Sequence, residues 1–350
     1  MNYAEHLAAA ARDAHAERAP NAPTVISTFA GGGGSSTGYH MAGYNELLAV
    51  EWDDHACETL RLNYPKLPIW QGDIANLNVS EVLERTNLKT GQLDLLDGSP
   101  PCQGFSSVGQ RVLDDPRNQL FREFTRLLTG LQPRAFVMEN VTGLIEGKMK
   151  ATFLEILAEL KNCGYQVTAG VLNASYLGVP QARERVIFIG TRNDLSIKPT
   201  LPRPQGKPIT AGQALEGLPS LGTGANVIKD PRWRNVWAKV KLGADFSSVH
   251  PKGHLFSCWR LSPDKPSHTI TKTITTAGAS GGLYHWDHPR LFNIDELCRF
   301  GSFPDTYKWP GDVQTDKKDH QQAWARIGNA VPPLMARAIG LHIRETILKK

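Results

Sequence analysis
Cysteine is scarce in this 350-residue chain. The five present, Cys57, Cys102, Cys163, Cys258 and Cys298, are odd in number and form no Cys-x-x-Cys pair. A chain of this length does not depend on disulfides, so a reducing cytoplasm is the expected location. No apolar run approaches the ~18 residues of a membrane span. The first 20 residues carry an alanine stretch but no basic leader, and the stretch runs straight into Arg12 and Asp13. That excludes a signal peptide and leaves a frayed amphipathic helix as the expectation. Neither an internal repeat nor a strict Gly-x-Gly-x-x-Gly is found. Charged residues are 21% and apolar residues 41%, which excludes wholesale disorder and allows a sizeable core. At roughly 150 residues per domain, the length suggests about two domains.

Between residues 24 and 200 short apolar runs alternate with helical patterns. Strands are expected at 25–29, 47–50, 69–71, 93–97, 136–139, 166–172 and 186–189, and helices at 36–42, 53–63, 118–128 and 150–162. This alternation argues for an α/β fold with a mostly parallel sheet covered on both faces. No helical pattern separates the last two strands, so they are expected to form an antiparallel pair. After Thr191 the prolines at 199, 202, 204 and 208 punctuate a linker. From there to about 320 the chain reads as loops and short strands, with no long helix before 294–300. Helical pattern returns at 321–325 and 334–348.

The formal charge is +5, and it is unevenly placed. Residues 191–272 hold 13 Lys and Arg against 5 Asp and Glu, a balance of +8 that leaves −3 for the rest. Trp233, Trp237, Phe256 and Trp259 interleave this basic stretch, which points to a polyanion-binding surface.

Two motifs carry chemistry. The first strand runs into Ala30-Gly31-Gly32-Gly33-Gly34 and then a helix, a turn that lets backbone approach a ligand closely. Glu51, at the end of the second strand, suits ribose hydroxyls, and Asp73, after the third, suits an adenine amino group. Because the dinucleotide fingerprint is incomplete, a mononucleoside cofactor is the better reading. The second motif is sharper: the fourth strand ends in Gly98-Ser99-Pro100-Pro101-Cys102-Gln103-Gly104. A cysteine at the carboxyl end of a central strand, on a proline-stiffened approach, suits a nucleophile. The small residues of 103–117 suit a closing loop.

These blocks, with Glu139-Asn140-Val141, Gln181-Ala182-Arg183-Glu184-Arg185 and Gly328-Asn329-Ala330-Val331-Pro332-Pro333, resemble the DNA (cytosine-5)-methyltransferases in residue type and in order. The resemblance spans 25–335. It implies a Rossmann-like S-adenosylmethionine-dependent methyltransferase sheet with an inserted small, loop- and strand-rich target-recognition domain. The catalytic domain is then expected at 1–195 plus 321–350, and the recognition domain at 196–320. By the same resemblance Cys102 adds to cytosine C6, Glu139 supplies the acid opposite N3, Arg185 holds O2, and Arg183 orders the site. A thiolate suits the addition because it is accessible near neutral pH. Phe29, Gly31, Gly33, Glu51, Trp52, Asp73, Ile74, Pro101, Leu120 and Asn329 map onto the cofactor pocket, with Trp52 stacking on adenine. Asn329 is expected back beside the first strand. The implied partner is double-stranded DNA, read by a monomer with no membrane association. A cognate restriction endonuclease acting independently is the expected companion.

His250, His254 and Cys258 are four apart, but Pro251 and Gly253 disfavour a helix and no fourth ligand is evident, so no metal is expected. Two other functions stand beside DNA methylation. One is cytosine-5 methylation of tRNA, whose branch carries a Cys-Phe-Thr tripeptide that does not occur here. The other is a catalytically dead DNA-binding relative, against which the complete set of Cys102, Glu139, Arg183 and Arg185 counts. In the small domain Asn293 stands where the family often has threonine.

Overall fold
The computed structural model describes residues 2–101, 119–219, 226–249, 256–272 and 280–350. Cys102, residues 103–117, His250, Lys252 and His254 lie outside the described residues. The described strands, in order, are β1 (Thr24–Thr28), β2 (Asn45–Glu51), β3 (Ile69–Gln71), β4 (Leu95–Gly98), β5 (Ala135–Val141), β6 (Tyr165–Asn173), β7 (Gln181–Ala182), β8 (Glu184–Arg192), β9 (Ala244–Asp245), β10 (Phe256–Arg260), β11 (Ser267–His268) and β12 (Ser280–Tyr284). The helices are α1 (Tyr3–His15), α2 (Gly34–Met41), α3 (Asp54–Asn63), α4 (Val79–Thr86), α5 (Gln119–Leu131), α6 (Lys150–Asn162), α7 (Ala211–Leu215), α8 (Pro231–Lys239), α9 (Ile294–Phe300), α10 (Lys317–Asn329) and α11 (Pro333–Ile343).

Two compact units emerge. The larger comprises Asp13–Asn173, Glu184–Arg203 and Ala336–Lys350. Its seven-stranded sheet runs β3-β2-β1-β4-β5-β8-β6. The pairs from β3 to β5 are parallel, and β8 is antiparallel to both β5 and β6, as the missing crossover helix requires. The sheet core is aliphatic and aromatic, with Ile26, Leu48, Leu96, Phe124, Phe136 and Phe188 all buried. Strand order reverses between β1 and β4, so their carboxyl ends frame the crevice where open α/β sheets bind ligands.

The smaller unit comprises Met1–Arg12, Ala174–Arg183 and Pro204–Met335. Its three-stranded sheet runs β12-β10-β9, and β7 pairs with β11. Relative to the expected boundaries, three further pieces group here: residues 1–12, 174–183 and 321–335. Hydrogen bonds give the reason. Gln181 Nε2 donates to the Phe300 carbonyl at 3.2 Å, and its Oε1 accepts from Ile270 N at 3.2 Å. Trp324 Nε1 donates to the Thr271 carbonyl at 2.9 Å.

Two expectations are corrected. The N-terminal helix is not frayed: Tyr3, Leu7 and Ala10 are buried, and the Tyr3 hydroxyl donates to the Arg299 carbonyl at 2.7 Å. A helix, α8, precedes 294–300, started by Asp230 as N-cap with proline in the first turn. Two aromatics of the basic stretch pack within the smaller unit. Trp237 is buried with the Arg260 guanidinium 4.0 Å above its ring, and Trp233 stacks on Phe246 at 5.2 Å. Asn293 caps α9 in a reciprocal box with Glu296. Asparagine and threonine are both good N-caps, which accounts for the exchange there.

Candidate active site
The first wall is the turn after β1. Phe29 has φ 54, Gly31 φ 57 and Gly33 φ 85, a left-handed run that lets the chain reverse into α2. Glu51 holds this turn from the end of β2. Its Oε2 accepts from Gly31 N at 2.7 Å, and its Oε1 from Trp52 N at 2.8 Å and Asp53 N at 3.0 Å. A carboxylate offers about four acceptor positions, so three backbone donors leave about one. A Cβ on Gly31 would meet nothing within 4 Å, so the space beside the turn is open. Trp52 is 77% exposed, although most tryptophans are largely covered.

Beyond β3, Asp73 is exposed and caps a short 3-10 turn, accepting from Ala75 N at 3.0 Å, while Ile74 is buried. Arg126 of α5 donates to the Ile74 and Leu77 carbonyls at 3.0 and 2.9 Å and so fixes that turn. Nothing in the sequence marks Arg126 beyond its place in an amphipathic helix.

The second wall is made of the ends of β4 and β5. Pro100 is buried and Pro101 is exposed. Asn140, which the sequence presents only as the neighbour of Glu139, is buried and donates to the Pro100 carbonyl at 3.1 Å. The antiparallel register of β5 and β8 sets Val141 opposite Arg185, and Arg185 Nε reaches Glu139 Oε1 at 2.7 Å. Only 14% and 12% of these two side chains are exposed, so the carboxylate is held in one orientation beside the strand end that leads to Cys102. Leu120 packs partly buried against the sheet core.

Arg183 and Asn329 belong to the smaller unit. Arg183 is 2% exposed and donates through Nη1 to the Ile270 carbonyl at 3.3 Å. Asn329 is exposed at the end of α10. Beside it, a Cβ on Gly328 would lie 2.5 Å from the Thr271 carbonyl oxygen, so only glycine allows this close approach. The Gln-x-Arg and Gly-Asn blocks thus both grip the segment 267–272.

Of the described cysteines, Cys57, Cys258 and Cys298 are buried and Cys163 is intermediate, and all four are free thiols. Among the described residues, no cluster of three His, Cys, Asp or Glu is arranged to hold a metal, and no helix is long and apolar enough to cross a membrane.

A family model for C-5 cytosine-specific DNA methylase matches residues 23–345. The chain is 36% identical over 343 residues to the Type II methyltransferase M1.HphI of Haemophilus parahaemolyticus, covering 93% of this chain and 87% of that protein. It is 33% identical over 332 residues to M.NgoFVII of Neisseria gonorrhoeae, covering 89% and 84%. Among solved structures, a protein taken to be a DNA modification methyltransferase, encoded within a prophage of E. coli, aligns with a TM-score of 0.74. Its identity is 26%, over 94% of this chain and all 100% of that one. Dnmt2 of Spodoptera frugiperda, at 20% identity, shares the fold with a TM-score of 0.67 over 92% and 100%.

Proposed function
The chain belongs to the C-5 cytosine-specific DNA methylase family, and from that membership we propose that it methylates C5 of cytosine at a specific site in double-stranded DNA by covalent addition of Cys102 to C6. The observation that carries the reading is the Glu139–Arg185 pair at the end of β5. It adjoins the strand end that leads through Pro100 and Pro101 to Cys102, with Asn140 tying the two together.

In the proposed reaction the target base leaves the stack, at an unpairing cost of a few kcal/mol. The Cys102 thiolate adds to C6, which makes C5 nucleophilic. Glu139 delivers the proton that N3 gains as the ring accepts the electron pair, and Arg185 both orients Glu139 and holds the cytosine O2. Once C5 carries the new methyl, a base or water takes its proton, the Cys102 thiolate is expelled, and N3 returns its proton to Glu139, which restores the ring. Arg183 acts at one remove, by fixing the backbone at Ile270.

The cofactor we assign is S-adenosylmethionine. When bound, it supplies a methyl group made electrophilic by a positive sulfonium. The residues fit such a group: the open space beside Gly31, the exposed Trp52 ring, the remaining acceptor position on Glu51 and the exposed Asp73 suit a methionine–adenosine ligand in turn. Phe29, Gly33, Ile74, Pro101, Leu120 and Asn329 complete the proposed set. The smaller unit, in which Lys and Arg outnumber Asp and Glu, is assigned to target recognition. We place the protein in the cytoplasm as a monomer, with a cognate restriction endonuclease acting independently. The Type II names of the relatives support that companion.

The test is incubation of the purified protein with S-adenosylmethionine and either duplex DNA or tRNA, followed by nucleoside mass spectrometry. We expect 5-methylcytosine in DNA alone. Product in tRNA alone, or in neither, would refute the reading.

A further inference from the structure
Asp97 lies in β4, five residues before Cys102, and is only 6% exposed. Its surroundings are unusual for a buried carboxyl. The Tyr39 hydroxyl donates to Oδ1 at 2.8 Å and the Ser35 side chain hydrogen-bonds to the same carboxyl, both from α2. Glu46 from β2 and Glu139 from β5 add negative charge, and each has its own partner, His40 at 3.1 Å and Arg185 at 2.7 Å.

The backbone around it has little slack. The Thr28 hydroxyl donates to the Asp97 carbonyl at 2.9 Å. A Cβ on Gly98 would lie 2.5 Å from that hydroxyl and 2.7 Å from the Phe124 ring. Asn140 anchors the Pro100 carbonyl from the other side. On α2, the Thr37 hydroxyl donates to the Gly33 carbonyl at 2.7 Å, which carries the helix's position into the turn after β1.

We propose that Asp97 is a positioning residue for methyl transfer: through Tyr39 and Ser35 it locks α2, and with it the turn at 30–33, onto the strand end that delivers Cys102. The proposal rests on the methyl-transfer reading above. Space-filling alone needs no acid here, since an apolar side chain fills such a site without desolvating a charge. An ionised carboxylate accepts from both hydroxyls. A protonated one keeps acceptor positions but holds both hydroxyls through weaker, neutral hydrogen bonds and must also place its own O–H. Burial, the neighbouring carboxylates adding to it, pushes this group up to about 7, so the lock tightens as pH rises through neutrality.

The experiment is single-turnover methylation of duplex DNA between pH 6 and 8.5 by the wild type, Asp97→Asn and Tyr39→Phe, with melting curves for each. Loss of one hydrogen bond to a charged group corresponds to roughly a tenfold effect. We expect the wild-type to Asp97→Asn rate ratio to rise by about that factor across the range, and Tyr39→Phe to be slowed most at the alkaline end. A purely structural role lowers activity by the same factor at every pH. Ratios independent of pH in both variants therefore overturn the proposal. If Asp97→Asn does not fold, the Tyr39→Phe comparison decides. The wild-type arm separately tests the methyl-transfer reading: without methylation of DNA by the wild type, that reading fails and the proposal falls with it.

Discussion

Trp52 offers the cleanest separation between fold and function. With 77% of the residue exposed, truncation to alanine removes almost no buried surface. Its backbone N–H, which donates to Glu51 at 2.8 Å, is kept in Trp52→Ala. Stability should therefore change by no more than about 0.5 kcal/mol, a shift of a degree or two in Tm. If the ring stacks on adenine, that stacking is worth about 1–3 kcal/mol, by analogy with bases stacked on aromatic side chains. The Kd for S-adenosylmethionine should then rise roughly 5- to 150-fold. Trp52→Phe should recover part of that affinity. At saturating cofactor the rate should hardly change, because the ring contributes equally to the ground and transition states. Calorimetric titration with the cofactor, beside a melting curve, measures both quantities. A Kd within twofold of wild type with Tm unchanged would refute the assignment of this face to adenine.

Gly328→Ala forces a Cβ to 2.5 Å from a backbone carbonyl and should destabilise the protein by about 1–3 kcal/mol, seen as a lower Tm. Asp97 should destabilise the fold progressively between about pH 4 and 7. Its folded-state value is raised to about 7 from 3.8, so across that window the unfolded chain releases a proton that the folded chain keeps. Asp97→Asn should therefore gain stability relative to wild type by roughly 1 kcal/mol per pH unit in the window and level off above it, as read by denaturant titration. The combined Arg232→Ala, Arg234→Ala, Lys239→Ala and Lys241→Ala variant should weaken binding to all DNA sequences. It should also flatten the salt dependence by about one unit of slope for each phosphate no longer neutralised, and unchanged affinity and slope would remove α8 from the DNA-binding face.

The sheet was legible because β1, β2, β4 and β5 are continuous apolar runs bounded by glycine, proline or acid, the pattern of strands buried on both faces. Helix α4 was hidden by its length and by having Val82 as its one buried residue. Helix α8 was hidden because Pro231 reads as a breaker, yet proline in the first turn after Asp230 is a start signal. Helix α1 read as frayed because alanines look weakly apolar. Tyr3, Leu7, Ala10 and Ala14 nonetheless form one buried stripe.

In the candidate site, residue types at strand ends drew attention to Glu51, Asp73, Glu139 and Cys102. Pairing did not follow from type. One of Glu51's three backbone donors, the Gly31 N–H, depends on a left-handed turn 20 residues earlier. The Glu139–Arg185 ion pair depends on the register of β5 against β8. Aromatic spacing among lysines and arginines did not show that the Trp237 ring turns inward. Asp97 gave no signal because it sits within an apolar strand, where its acid looks like the strand's polar end.

The proposed chemistry turns on a covalent bond between Cys102 and cytosine. The direct measurement is incubation of the enzyme and S-adenosylmethionine with a duplex carrying 5-fluorocytosine at the methylated position, where fluorine blocks the final elimination. Denaturing gels and peptide mass spectrometry then locate any adduct. A stable protein–DNA species joined through Cys102, and absent in Cys102→Ala, is the expected result. Full methylation by Cys102→Ala, or no trapped species from an enzyme that methylates the unmodified duplex, would contradict it.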